Sequence, residues 1–351
     1  MSAMPIDRRE VLQLFGLTAL GVALGRPSSL LAAARPTGAS DLGLFRQSRV
    51  MMGGIPVTLT VSAEREVDAN RALNAAFAEM ERLERLFSIY DSHSELSRLN
   101  TEAGKRPVAV GPETLALIRD GLAMTTLTDG GFHLALGPAI SLWDVLDHPH
   151  VPSDRELEAI RPLIHGGRVQ VDASAGEVFL THTGMKLDPG GIGKGSLTER
   201  AKGVLIDHGM RGGLIAAAGD IVVFGRRPDD SPWRIGVHHP RRKDALLATL
   251  DLTDTAISTS GDYERFFIKD GVRYHHILDP ETLSPARRTR SVTVISPDGA
   301  RADALATGAF VLGPKRGLDL LHAQNLQGIV IDDQGGLHAS PALKEKVRFN
   351  L

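Results

Sequence analysis

Three short segments carry side chains whose types and spacing suit chemistry. Asp303 and Thr307 stand four residues apart. On a helix that spacing puts a carboxylate and a hydroxyl on one face. Hard oxygen donors of this kind suit Mg2+, which takes few protein ligands and completes its shell with phosphate and water. The second segment is Lys186-Leu187-Asp188-Pro189-Gly190-Gly191-Ile192-Gly193-Lys194-Gly195. It reads as a strand running through glycines into a helix. Glycine lets a ligand approach the main chain, and a helix N-terminus offers free N–H groups and partial positive charge to a phosphate. Lys194 adds a full charge. The Gly-x4-Gly-Lys-Ser/Thr spacing is missing, so this is not a Walker loop. The third segment runs Thr259-Ser260-Gly261-Asp262-Tyr263, followed by Arg273-Tyr274-His275-His276-Ile277. Adjacent histidines on a strand point to opposite faces. One is therefore expected at a site and the other in packing or solvent. Taken singly, the glycine turn and the Asp-Thr pair each have an ordinary structural reading as well.

Composition narrows the chemistry further. The chain has 351 residues, with 40 Lys+Arg against 42 Asp+Glu. That balance gives no support to a nucleic-acid partner, which would want a basic excess. Aromatic residues are only 5%, which leaves little for stacking bases. Apolar residues at 42% and charged residues at 23% describe a globular chain rather than a disordered one. There is no cysteine, so disulfides, iron–sulfur clusters, thiolate zinc sites and cysteine nucleophiles are all excluded. No Gly-x-Ser-x-Gly elbow and no His-Glu-x-x-His stretch occurs in the mature chain.

The N-terminus reads as an export signal. Arg8-Arg9 precede an apolar stretch from Leu14 to Leu24, and Ala32-Ala33-Ala34 supply a small-residue cleavage site. Twin arginines, a short apolar region and that site make a Tat-type signal over 1–34. The apolar run is too short for a comfortable membrane span, and no other segment of the mature chain reads as one. The protein is thus expected in the periplasm, exported folded. Residues 35–48 read as a small, polar linker, and 49–351 as one catalytic domain.

Several elements are needed to position the three segments. Val57 to Val61 alternates as a strand does. Leu73, Phe77, Met80, Leu83 and Phe87 recur at spacings of 4, 3, 3 and 4, one face of a long amphipathic helix. Leu115, Ile118 and Leu122 mark a second helix, closed by Asp129-Gly130-Gly131. Leu197, Ala201, Val204 and Leu205 mark a third, after the glycine segment. Short β-like runs fill the second half: Val169–Val171, Val178–Leu180, Leu214–Ala218, Ile221–Phe224, Ile235–Val237 and Val292–Ile295. Strands mixed with helices predict an α/β or α+β fold.

In order along the chain, these segments resemble the ApbE family of FAD:protein FMN transferases. The resemblance starts at Met52-Gly53-Gly54. It continues through Phe87-Ser88-Ile89-Tyr90, Ser94-Glu95-Leu96-Ser97-Arg98-Leu99-Asn100, Gly131-Phe132-His133 and Gly137-Pro138 with Trp143. It closes with Lys186-x-Asp188 to Gly195, Gly219-Asp220, Thr259 to Tyr263, His276-Ile277-x-Asp279-Pro280 and Asp303 to Thr307. It covers about residues 50–313. The resemblance implies a mixed α/β fold with a large central sheet, flanking helices and an FAD cleft between two lobes. It implies an enzyme that splits the pyrophosphate of FAD, attaches FMN by a phosphoester to a Thr or Ser of another protein, and releases AMP. Met52, Tyr90, Gly131, Phe132, His133, Asp188, Lys194 and Ile277 match FAD-contacting positions. Gly191, through its carbonyl, and Asp303 and Thr307, through their side chains, match the Mg2+ ligands. The acceptor hydroxyl needs a proton acceptor, and His276 and Asp303 are both candidates.

The resemblance also implies partners and alternatives. No Asp-Gly-x-Ser/Thr-Gly-Ala-Thr acceptor motif occurs in this chain, so the acceptor is another protein. By family it is a subunit of an Rnf or Nqr complex, or a NosR-type protein, the last fitting a NosX-like exported member. An FAD pyrophosphatase and a non-catalytic flavin-binding protein are the competing readings. Five positions depart from the family pattern: His133 replaces Asp, Pro189 replaces Leu, Glu199 replaces Asp, Ala216 replaces Asn and Ala218 replaces Gly.

Overall fold

The computed structural model describes residues 42–166, 168–346 and 348–349. The expected export signal at 1–34 and the expected linker residues 35–41 lie outside the described residues. Eight strands form the central sheet: β1 (Gly43–Met51), β2 (Ile55–Ala63), β3 (Gly212–Ala217), β4 (Asp220–Phe224), β5 (Thr255–Gly261), β6 (Thr289–Ser296), β7 (Gln327–Asp332) and β8 (Leu337–Ala339). Each pairs antiparallel with the next in chain order, so the sheet is a meander with long excursions between some strands. The expected linker over 35–48 therefore ends early, because Gly43 to Ser48 belong to β1 and pair with β2.

Both faces of the sheet are covered, and the period-2 alternation sorts the side chains. Ile215 and Ala217 face the helices, with Val57, Leu59 and Val61 of β2. Leu214 and Ala216 face the other way, against Trp233, Ile235 and Val237 of a flanking hairpin. The helical layer contains α1 (Glu66–Phe87), α2 (Pro112–Leu127), α3 (Gly193–Asp207), α4 (Gly299–Leu312) and α5 (Pro314–Ala323). The five apolar positions read as one face of α1 are all buried. Helix α3 packs between α1 and α4, and α4 lies on β5 and β6. Among the described residues, no helix is long and apolar enough to cross a membrane.

Small residues let α3 and α4 meet main chain to main chain. A side chain at Gly195 would begin 2.1 Å from the Gly299 carbonyl oxygen. Ten of the fourteen residues of α4 are buried, and most are Ala or Gly. A helix apolar all round belongs inside a protein, so the polar Asp303 and Thr307 on it are exceptions that need a reason.

The segment before α3 is not a strand. Asn100 holds it by the main chain instead: Leu187 N–H donates to Asn100 Oδ1 at 2.7 Å, and Asn100 Nδ2 donates to the Leu187 carbonyl at 3.0 Å. One side-chain amide replaces a ladder neighbour.

The β3–β4 turn carries a strained residue. Ala218 sits at φ +53°, a left-handed conformation that costs a residue with a Cβ about 1 kcal/mol. Ala218→Gly is expected to stabilise the fold by about 1 kcal/mol and raise the melting temperature by about 2 °C. A melting curve that is unchanged or shifted down would show that the turn is not strained.

Candidate functional site

Three elements deliver one charged group each to a common point. Lys194 stands in the first turn of α3, Asp220 opens β4, and Asp303 lies on α4. Lys194 Nζ is 3.1 Å from Asp220 Oδ2 and 3.2 Å from Asp303 Oδ1. It also donates to the Gly190 carbonyl at 3.3 Å. The two carboxylates are 3% exposed and the lysine side chain 25%. Asp303 accepts the Gly195 N–H at 3.0 Å, so one amide at the N-terminus of α3 is held by a carboxylate rather than left for phosphate. Ser258 of β5 donates to Asp220 at 2.5 Å. Two residues on, Ser260 Oγ lies 3.3 Å from Thr307 Oγ1.

Two buried carboxylates share one ammonium. Burial raises the Asp303 pKa and the charge of Asp220 raises it further, while Lys194 pulls it back; the net direction is up. Burial alone would lower the Lys194 pKa, but Asp220 and Asp303 outweigh it and drive it up. When ionised, the cluster sets two carboxylates against one ammonium in a poorly hydrated place, and a further cation would stabilise that form. The donors fit Mg2+: the Asp303 carboxylate, the Thr307 hydroxyl one turn on, and the main chain at Gly191. A side chain at Gly191 would begin 3.0 Å from Thr307 Oγ1 and 3.1 Å from the Phe132 ring. Among the described residues no three His, Asp or Glu side chains converge as a metal cluster. A cation here would take its remaining ligands from hydroxyl, carbonyl, phosphate or water.

The other expected site residues fall around this point to differing degrees. The Gly131-Phe132-His133 turn is clamped on α4, since a side chain at Gly131 would begin 2.8 Å from the Gly308 carbonyl oxygen. Phe132 is buried and His133 half-buried. Asp188 is half-buried; its Oδ1 accepts the Gly190 N–H at 2.7 Å and its own N–H donates to Leu134. Burial pushes its carboxyl up. Tyr90 is 85% exposed, with Asp188 and Arg265 among its charged neighbours. Its ring stands in solvent beside the site, unlike a core tyrosine. Met52 sits at the β1–β2 turn with φ +50°, and its N–H donates to Glu84 Oε1 at 2.7 Å. It shares no described hydrogen bond with the Lys194 cluster. Ile277 is 6% exposed and packs in the core under α4.

The histidine pair divides as its alternation requires. His275 is 3% exposed; its Nε2–H donates to the Ala286 carbonyl at 2.8 Å and its ring packs edge-on against Phe310. Burial holds its pKa down to about 4. His276 points away from that packing and lies in electrostatic range of Arg265 and Lys194. Its Nδ1 meets the Arg265 carbonyl at 3.2 Å, and a carbonyl can only accept. The proton is therefore on Nδ1, and Nε2 keeps the lone pair. Burial first, and Arg265 second, hold this imidazole down to about 3.

Sequence reasoning gave no role to Asp220, Ser258 or Ser260, although Gly219-Asp220 and Ser260 sat in the quoted motifs. The usable signal was the two-residue spacing of Ser258 and Ser260, which puts both hydroxyls on one strand face. Two departures from the family pattern land outside the cluster. Ala216 faces the hairpin core, on the opposite side of the sheet from Asp220. Glu199 accepts the Gly299 N–H at 3.0 Å at the start of α4 and pairs with Lys202. Pro189 still offers its carbonyl, which accepts the Ile192 and Gly193 N–H groups at 2.9 and 2.7 Å.

Known proteins resemble this chain in sequence and in fold. The ApbE family's sequence model matches residues 53–330. A FAD:protein FMN transferase of Klebsiella pneumoniae is 32% identical over 314 residues, covering 86% of this chain and 96% of the relative. One from Treponema pallidum is 30% identical, covering 87% and 89%. The crystal structure of an ApbE protein from Thermotoga maritima superposes with a TM-score of 0.80 at 32% identity, covering 86% of this chain and 99% of that one. The flavin transferase ApbE of Vibrio cholerae gives 0.77 at 28% identity, covering 87% and 99%.

Proposed function

This chain belongs to the ApbE family, and we propose that it transfers FMN from FAD to a Thr or Ser hydroxyl of an acceptor protein, with Mg2+ held by Asp303, Thr307 and the Gly191 carbonyl. The relatives named FAD:protein FMN transferase support the transferase activity. The observation that carries the finer reading is the buried Asp220–Lys194–Asp303 cluster with Thr307 beside it. Phosphoryl transfer asks a protein mainly for positioning and for neutralisation of charge. When bound, Mg2+ supplies charge stabilisation at the pyrophosphate.

The chain's own groups do the rest. Lys194, held by Asp220, meets a phosphate oxygen of FAD. Tyr90 and the Gly131–His133 turn bracket the dinucleotide. His276 Nε2 takes the proton of the acceptor hydroxyl as its oxygen bonds to the FMN phosphorus. The bond from that phosphorus to the bridging oxygen breaks, and AMP leaves with that oxygen. Of the two candidates His276 keeps its Nε2 lone pair, whereas the Asp303 oxygens are engaged by Lys194 and the Gly195 N–H. The test is incubation of the full chain with FAD, Mg2+ and an acceptor domain bearing the flavinylation motif. In-gel flavin fluorescence and the acceptor's mass should report one covalent FMN. Release of FMN and AMP with no labelled acceptor would overturn the transferase reading.

The acceptor and the location belong to the same proposal. Arg8-Arg9, the apolar stretch that follows and the Ala32-Ala33-Ala34 site support export through the Tat pathway. A periplasmic enzyme of this family serves electron-transfer proteins with periplasmic domains, of the Rnf, Nqr or NosR type. Replacing Arg8 and Arg9 together by Lys is expected to leave the uncleaved precursor in the cytoplasm. Normal periplasmic accumulation of that variant would rule the Tat route out.

A further inference from the structure

A polar cavity of about 180 Å3 opens beside His275, the chain neighbour of His276. Four guanidiniums wall it: Arg241, Arg273, Arg287 and Arg290, together with Asp262 and His275. They come from three separate places, the loop before one hairpin strand, a second hairpin and the run into β6. Arg241 makes a two-pronged pair with Asp262 at 2.6 and 2.5 Å. Arg273 lies 3.6 Å from the same carboxylate. Arg287 and Arg290 are fixed differently. Arg287 Nη1 donates to the Arg273 carbonyl at 2.6 Å, and Arg290 donates twice to the Asp333 carbonyl, at 3.0 and 2.6 Å. A main-chain carbonyl orients a guanidinium without neutralising it. Among the described residues neither of these two arginines forms an ion pair.

The charge count follows. The lining holds four arginines and two aspartates, Asp262 and Asp333, which leaves at least two positive charges in excess. His275 changes nothing, since both its ring nitrogens are spent on Ala286 and Ile277 and it is neutral. Planar guanidiniums match phosphate oxygens two at a time. The volume is that of about six waters and below the roughly 300 Å3 at which pockets for larger ligands begin. A dinucleotide does not fit. From the geometry and this charge balance we infer that the cavity is a binding site for a phosphate dianion, free or as the head of a small phosphomonoester. It is separate from the Lys194 cluster, with which it shares no lining residue.

The test is a calorimetric titration of the full chain with inorganic phosphate at low ionic strength, and with glycerol 3-phosphate beside it. Arg287 is exposed, so Arg287→Gln keeps the fold. It is expected to weaken binding about tenfold, the effect of losing one two-pronged charge-assisted contact. Arg288→Gln removes an exposed charge next door, outside the cavity, and is expected to change affinity less than twofold. The ligand that binds more tightly, and loses that affinity in Arg287→Gln, names the source as free phosphate or a phosphomonoester. Absence of saturable binding for both ligands, or an equal loss in the two variants, overturns the site. Phosphate binding that Arg287→Gln leaves unchanged does so too, because it then belongs to the Lys194 cluster.

Discussion

Asp303→Ala should lower the rate of covalent FMN transfer by about 10^3-fold, the worth of a few kcal/mol of charge stabilisation at one metal ligand. The variant removes one of two buried carboxylates and leaves Lys194 with Asp220 alone. It also takes away the partner of the Gly195 N–H. The fold should survive that loss: taking one partner from a buried charge cluster costs about 3–5 kcal/mol, and the end of the repulsion between Asp303 and Asp220 offsets part of it. This gives a reading independent of catalysis. Wild-type protein should melt at a higher temperature with Mg2+ than without, by the linkage of binding to stability, and Asp303→Ala should not. Transfer within tenfold of wild type would remove Asp303 from the metal site. A retained Mg2+ shift would do the same. Asp303→Asn keeps the shape and loses the charge, so agreement between the two variants would assign the effect to charge rather than to packing.

Much of this site was legible before any coordinates, and the reasons are local. Asp303 and Thr307 share a helix, so their spacing alone puts them on one face. His275 ends a strand and His276 follows it, so alternation alone sends the two rings to different sides. Helix α1 could be read from its five apolar positions because it buries one continuous stripe. The illegible part is what tertiary contact decides. Nothing in the spacing of residues 194, 220 and 303 says that their charges meet at about 3 Å. That meeting depends on α3 and α4 approaching at Gly195 and Gly299, a contact between residues a hundred positions apart. Residues Gly43–Ser48 of β1 read as linker because outward positions such as Arg46 and Ser48 are exposed on a sheet edge and the pattern is only half apolar. The run Lys186–Asp188 reads as a strand, but the Asn100 side chain and the Leu134 carbonyl, not a neighbouring strand, hold its main chain.

The second large effect should come from His276. His276→Ala is expected to slow transfer by about 10^2- to 10^4-fold, the usual worth of a positioned general base, with FAD affinity within about twofold of wild type. The main-chain N–H of residue 276 still donates to the Arg265 carbonyl in the variant, so the local strand has no cause to move. The pH dependence separates proton acceptance from mere packing. With its imidazole held down to about 3, His276 is neutral from pH 5 to 8, and its Nε2 is available throughout. The transfer rate should therefore show no limb near 6.5, the ordinary histidine value. Stability runs the other way. Below about 6.5 the unfolded chain binds a proton at His276 that the folded chain refuses until about 3. The unfolded state thus holds more protons across that window, and stability falls as pH is lowered through it. His275, held down to about 4, adds a loss of the same sign. His276→Ala should then be the less acid-sensitive protein while being the slower enzyme. A variant that lost activity but kept the full acid loss of stability would place the buried neutral ring elsewhere, and with it the lone pair that the acceptor hydroxyl needs.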